Sequence, residues 1–274
     1  MSAEQKLAGL VRLLAMEKIE ENLFRGQSVD LGWGRVFGGQ VLGQAVSAAE
    51  QTVPADRTPH SIHCYFLRPG DVAAPIVYDV DRSRDGRSFT TRRVVAIQHG
   101  QAILNMAVSF QVEEKGFEHQ DPMPEVPPPD TLETAQAHYR RFLGRIPAFI
   151  REQAMSEGPF EVRPVTPEDD PIAPTPRPPT KRYWFRAAGP LPDDLRIHRN
   201  LLAYLSDSDF LITALQPHGL TWLTPGIQTA SIDHAMWFHR PFRVDEWLLY
   251  DIESPVARGA RGLVRGSFYN QEGE

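Results

Sequence analysis

Along the first fifty residues the apolar positions follow a helical period. Leu7, Leu10, Val11 and Leu14 share one helical face, which predicts a short amphipathic helix docked on the body of the protein. Farther on, Val41, Ala45 and Ala48 recur at the same spacing within Gly38 to Ala49, surrounded by small residues, and predict a helix that packs closely against its neighbours. The pattern then changes to runs rich in Val, Ile and Phe: His60 to Leu67, Pro75 to Arg82, Ser88 to His99 and Ala102 to Gln111. Pro69-Gly70, Asp85-Gly86 and His99-Gly100 separate them, which predicts an antiparallel meander. The plan recurs later, with a helix over Leu201 to Leu215 and strands over Ile227 to His239, Glu246 to Glu253 and Arg261 to Asn270.

This recurrence is an internal repeat. Arg68-Pro69 returns as Arg240-Pro241, and Tyr78-Asp79-Val80-Asp81 returns as Tyr250-Asp251-Ile252-Glu253, every pair 172 residues apart. A period of that length is a duplicated domain, since a solenoid repeats every ~20–50 residues. Ser61 to Leu67 and Ser231 to His239 are also similar once two residues are inserted. Proline is dense from Pro122 to Pro129 and from Pro164 to Pro179, which reads as linker because proline cannot join a sheet interior. Within it Leu132 to Met155 looks helical, while Phe160 to Arg163 and Arg182 to Ala187 look like the first strands of the second half. The expected division is a first repeat with its N-terminal helix over 1–112, a linker over 113–181 that already holds a strand of the second repeat, and the second repeat over 182–274.

Composition narrows the function classes. A chain of 274 residues with 41% apolar residues has enough material for one large or two small packed domains. The net charge of -6 argues against a nucleic-acid binder, whose footprint is a basic face. No apolar run reaches the ~18 residues of a membrane span, and the N-terminal helix carries acids, so neither a span nor a signal peptide is read and a cytoplasmic protein is expected. The lone Cys64 excludes an internal disulfide and a multi-thiolate metal site. Gly32 to Gly39 fails the dinucleotide-loop spacing, and neither a P-loop nor a G-x-S-x-G elbow occurs. His60 and His63, like His234 and His239, are separated by odd numbers of residues, so on strands they face opposite ways and read as structural histidines.

Two polar residues interrupt apolar patterns. Asp207 lies four residues after Ala203 and four before Leu211, on the packed face of the predicted helix. A carboxylate there must be hydrogen-bonded, protonated or beside a water-filled pocket, and both a capping role and a functional one fit. Asp209, about 200° around the helix, reads as solvated. Ser231 is the second intrusion; its hydroxyl can pair with a carboxylate, though pattern alone does not bring it to Asp207.

Four motifs occur in order: Arg35 to Val41 (RVFGGQV), His60 to Asp71 (HSIHCYFLRPGD), Arg84 to Phe89 (RDGRSF) and Ala230 to Phe242 (ASIDHAMWFHRPF). Together they resemble the type II acyl-CoA thioesterase, or TesB-like, family, from about Leu7 to the end. The resemblance implies an α+β double hotdog, in which each half wraps a long helix in an antiparallel sheet and the sheets join. It further implies hydrolysis of acyl-CoA to a free acid and coenzyme A, a place in fatty acid and lipid metabolism, and no metal or organic cofactor. In this family an Asp, a Thr or Ser, and a Gln hold the attacking water. Asp207, following Ser206, matches the Asp as general base, and Ser231 matches the hydroxyl residue. Gln271-Glu272-Gly273 imitates the segment of the family Gln but matches the turn at His99-Gly100, so that Gln and the counterpart of the strand Ala102 to Gln111 are expected beyond Glu274. A nucleophilic Asp207 forming an anhydride is a less favoured variant. An acyl-CoA-binding protein with little or no catalysis is an alternative; a hydratase is disfavoured because no Asp-x-Asn-Pro-x-His segment occurs. Apolar residues on the outer strands, such as Leu248, Tyr250 and Phe268, predict a homo-oligomer, with neither nucleic acid nor membrane as partner.

Overall fold

In a computed structural model, which describes residues 1–146, 151, 155–167 and 170–274, the first half runs α1 (Ala3–Leu14), β1 (Glu17–Glu20), β2 (Leu23–Gly26), α2 (Gly38–Glu50), β3 (Thr58–Phe66), β4 (Ile76–Asp85), β5 (Phe89–Gln98) and β6 (Gln101–Gln111). After α3 (Ala135–Arg140), the second half has β7 (Phe160–Pro164), β8 (Thr180–Ala187), α4 (Leu195–Ser206), α5 (Phe210–Leu215), β9 (Asp233–Trp237), β10 (Leu248–Arg258) and β11 (Arg261–Tyr269). Ser2 and Gln5 cap α1 reciprocally, and its Leu7, Leu10 and Leu14 are buried, as the sequence pattern requires. The meander alternates inward and outward: Ile76, Tyr78 and Val80 of β4 are buried, and so are Val94 and Ala96 of β5.

A seven-stranded antiparallel sheet has the order β1-β2-β4-β5-β6-β3-β9, and a second sheet has the order β11-β10-β8-β7. Each half wraps one long helix, which is the arrangement of a double hotdog. The halves join where β9 pairs with β3, with Cys64 opposite His234. Beyond that ladder the Phe66 N–H donates to the Ile232 carbonyl at 2.9 Å, and the Phe238 N–H to the His60 carbonyl at 3.0 Å. These are one bond made twice, related by the repeat offset and hence by a pseudo-twofold axis. The offset therefore runs unbroken through β3 and β9, and the two-residue insertion read from sequence is unnecessary: Ser61 corresponds to Asp233, and Ser231 to Pro59.

Small residues set the distance between the two central helices. α2 and α4 run antiparallel, with Gly39 against the Tyr204 carbonyl and Gly43 against the Asn200 carbonyl. A Cβ at Gly43 would stand 2.8 Å from that oxygen, so a larger residue would push the helices apart. Every residue of α2 from Gly39 to Glu50 is buried, between its sheet and α4. The buried Tyr78 hydroxyl donates to Gln44 Oε1 at 2.7 Å and ties helix to sheet.

Several elements differ from the sequence reading. The predicted helix Leu201 to Leu215 starts earlier, at Leu195 behind an Asp194 cap, and breaks into α4 and α5 at Asp207 to Asp209, where Asp209 adopts a left-handed φ of 64°. The strand predicted over Ile227 to His239 shrinks to Asp233–Trp237, the part with a partner in β3. Of the helix predicted over Leu132 to Met155, Ala135–Arg140 is present; residues 147–150 and 152–154 lie outside the described residues. The hairpin β1–β2 extends the first sheet beyond the predicted meander through pairs such as Phe24 with Tyr78. Among the described residues no helix is long and apolar enough to cross a membrane.

Candidate active site

The break between α4 and α5 turns Asp207 toward the start of α2. Asp207 is the C-cap of α4, with φ -81° and ψ -2°, rather than a mid-helix residue. Two contacts fix the end of α4. The Tyr250 hydroxyl donates to the Ser206 carbonyl at 2.7 Å. The Ser206 hydroxyl donates to the Ala203 carbonyl at 2.8 Å, so at 3.0 Å from His234 Nε2 it accepts the imidazole N–H. His234 thus has the structural role read from sequence, and burial lowers its pKa to about 4, keeping the ring neutral. On the other side of the break Asp209 is not solvated as expected: its carboxylate pairs at 2.8 Å with Lys181, a buried cation on β8. That ion pair holds the left-handed turn, a conformation costly for a residue other than glycine.

The Ser231 hydroxyl donates to Asp207 Oδ1 at 2.9 Å. Nothing local in the sequence links these residues; Ser231 arrives because β9 leaves its own half to pair with β3, and Arg35 on the lead-in to α2 donates to the Thr229 carbonyl at 3.1 Å. The second Asp207 oxygen faces the first turn of α2. A Cβ at Gly38 would stand 2.6 Å from Oδ2, so only glycine leaves this space open, and the Gly39 N–H donates to the carboxylate.

Burial raises the Asp207 pKa to about 6, against the lowering effects of the Ser231 and Gly39 hydrogen bonds. The residue is half-buried by accessible surface, so solvent reaches the cleft. A base with a pKa of about 6 is ionised at neutral pH yet basic enough to take a proton. The N-cap of α2, Phe37, makes no side-chain cap; with the Gly39 N–H given to Asp207 and the Gln40 N–H to the Phe37 carbonyl at 3.0 Å, the first turn offers the cleft the Gly38 N–H and the positive end of the helix dipole. Sequence reasoning named the two side chains but not this helix terminus; the adjacent Gly38-Gly39 was the available signal. Cys64 lies close enough for the charge of Asp207 to act on it, but burial above all, aided by Asp207 and Asp233, pushes its thiol up to about 12. It is no nucleophile in this state.

The geometry agrees with similarity along the whole chain. Residues 29–111 match the family model described as acyl-CoA thioesterase N-terminal domain, and residues 160–274 that of acyl-CoA thioesterase. The chain is 45% identical to acyl-CoA thioesterase 2 of Haemophilus influenzae, over 98% of this chain and 93% of the relative. It superposes on acyl-CoA thioesterase II TesB2 of Mycobacterium marinum with a TM-score of 0.75 and 41% identity, covering 97% and 92% of the two chains. A hot dog protein of Alicyclobacillus acidocaldarius, 19% identical and covered at 97% and 93%, shares the fold with a TM-score of 0.76. The chain belongs to the acyl-CoA thioesterase family.

Proposed function

We propose that Asp207 and Ser231 hold the water with which this acyl-CoA thioester hydrolase cleaves its substrate. The observation that carries the assignment is the 2.9 Å bond between the two side chains at the point where α4 ends and α2 begins. Asp207 removes a proton as the water oxygen attacks the thioester carbonyl, and Ser231 fixes the carboxylate and orients the same water. Negative charge developing on the carbonyl oxygen falls to the Gly38 N–H and the positive end of the α2 dipole. The C–S bond breaks, the proton passes to the leaving thiolate, and a free acid and coenzyme A depart. No covalent intermediate is needed.

The test is thiol release from a series of acyl-CoA substrates, with the acid product quantified in parallel. Equal amounts of thiol and acid from the parent, and a rate about 100-fold or more lower from Asp207→Asn, are expected. Undiminished release by Asp207→Asn would remove the assignment, leaving Asp233 as the next acid to test.

The wider reading is a cytoplasmic homo-oligomer of lipid metabolism built from a first repeat over 1–112, a linker over 113–181 and a second repeat over 182–274. Leu248 and Tyr250, expected on an open face, are instead buried in the core; oligomerisation is supported by Tyr65 and Trp237, 62% and 54% exposed at the two ends of the outer face of the β3–β9 ladder. Light scattering that finds a monomer at micromolar concentration would remove that part. The single unpaired Cys64 suits a reducing compartment, and the net charge of -6 argues against a nucleic-acid partner.

A further inference from the structure

The pseudo-twofold axis carries the active cleft onto a second place, at the opposite end of the α2–α4 pair. Where α4 ends at Asp207 facing Gly38 and Gly39, α2 ends at Gln51 facing the Asp194 cap and the first turn of α4. A cavity of about 340 Å³ occupies this second place, lined by residues of both helices and by the end of α1. One wall is apolar, with Leu14, Met16 and Leu201. The other carries Glu50 and Asn200, only 6% and 8% exposed. Glu50 Oε1 accepts from Arg199 Nε at 2.8 Å, but Glu50 Oε2 and Asn200 Oδ1 are buried with no hydrogen-bond partner. Two buried acceptors left open are costly unless a donor reaches them.

The chemistry of this second place differs from that of the first. Gln51 is the C-cap of α2 as Asp207 is of α4, and Pro59 stands at the position of Ser231, so neither the base nor the hydroxyl is repeated at these places. Asp194 caps the first turn of α4, so the cavity has no open helix end to receive an oxyanion. An occupant must bring N–H or O–H donors to Glu50 and Asn200 and apolar surface to Leu14 and Leu201. Free carboxylates are disfavoured, because Glu50 and Asp194 line the same space and the cations beside them, Arg199 and Arg196, already pair with those two acids.

We propose that this cavity is a second, non-hydrolytic site for the pantetheine arm of coenzyme A, whose two amide N–H groups, hydroxyl and methyl groups match the open acceptors and the apolar wall. The proposal rests on the reading of the chain as an acyl-CoA hydrolase, since coenzyme A is then a ligand the protein meets and its arm carries these groups.

The experiment is calorimetric titration of free coenzyme A into the full-length Asp207→Asn protein. Two molecules bound per chain are expected. Asn200→Leu should weaken one of the two classes at least tenfold, and Ala15→Trp, at an exposed position on the cavity mouth, should abolish that class without touching the core. One molecule per chain, unchanged by Ala15→Trp, would overturn the second site. The functional reading fails separately, by absence of thiol release from acyl-CoA by the parent protein.

Discussion

Asparagine at position 207 should make the protein more stable at neutral pH while nearly abolishing its activity. Burial raises the Asp207 carboxyl from 3.8 to about 6 in the folded state. At ~1.36 kcal/mol per pH unit this corresponds to about 3 kcal/mol, an upper value because the residue is half-buried rather than sealed. Below about pH 4 both folded and unfolded chains carry the protonated acid, and the term vanishes. Between about 4 and 6 the unfolded chain ionises first, so stability falls as pH rises, and above 6 the full cost persists. Asn keeps an acceptor for Ser231 and cannot ionise, so the ionisation cost disappears, offset in part because its NH2 group cannot accept the Gly39 N–H. For a chain of this size about 3 kcal/mol is roughly 6–12 °C in Tm. Melting curves of parent and Asp207→Asn at pH 7.5 and at pH 4 provide the assay, with thiol release measured on the same samples. The gain should be clear at pH 7.5 and close to nil at pH 4, with kcat down by about 100-fold or more. Equal melting at pH 7.5, or a variant less stable at both values, would refute the buried ionised carboxylate.

Other perturbations separate the remaining parts of the site. Ser231→Ala removes a hydrogen bond that lowers the Asp207 pKa, so the acid limb of the rate should move up from about 6 by roughly one pH unit, with a modest loss of kcat at pH 8. Gly39→Ala places a Cβ against the Tyr204 carbonyl and 2.5 Å from the Phe37 ring, and should cost about 3 kcal/mol or more in denaturant melts. Lys181→Met releases the left-handed turn at Asp209; a several-fold loss in kcat with KM little changed is expected, partly restored by adding Asp209→Gly, which tolerates that φ. Cys64 should not react with a disulfide reagent in the native protein at pH 8 and should react fully once unfolded, because its thiol is held at about 12.

The first half was legible because its signals are local. Alternation places Ile76, Tyr78 and Val80 inward, and small residues mark α2 as a close-packed helix, both of which the fold bears out. The second half was less so, for nonlocal reasons. The helical spacing of Ala203, Asp207 and Leu211 continues through a point where the chain in fact breaks, because the break is held by Lys181 on a distant strand. The same contact explains why Asp209 read as solvated. Residues 227–232 are apolar enough to suggest a strand, yet lack a ladder partner, and β9 begins only where β3 is in reach. Asp207 and Ser231 meet through that crossing, which periodicity does not encode. The place of the α2 terminus in the cleft was hidden for a related reason: Gly38 and Gly39 matter for what approaches them, the end of a helix from the other half.

The most direct test of Asp207 as the base is the pH dependence of kcat/KM for thiol release from an acyl-CoA, measured from pH 4.5 to 8.5 on the parent and on Asp207→Asn. The parent should show one acid limb with its midpoint near 6, falling about tenfold per pH unit below it, and the residual rate of the variant should lack that limb. A flat profile in the parent, or the same limb surviving in Asp207→Asn, would assign the proton transfer to another group.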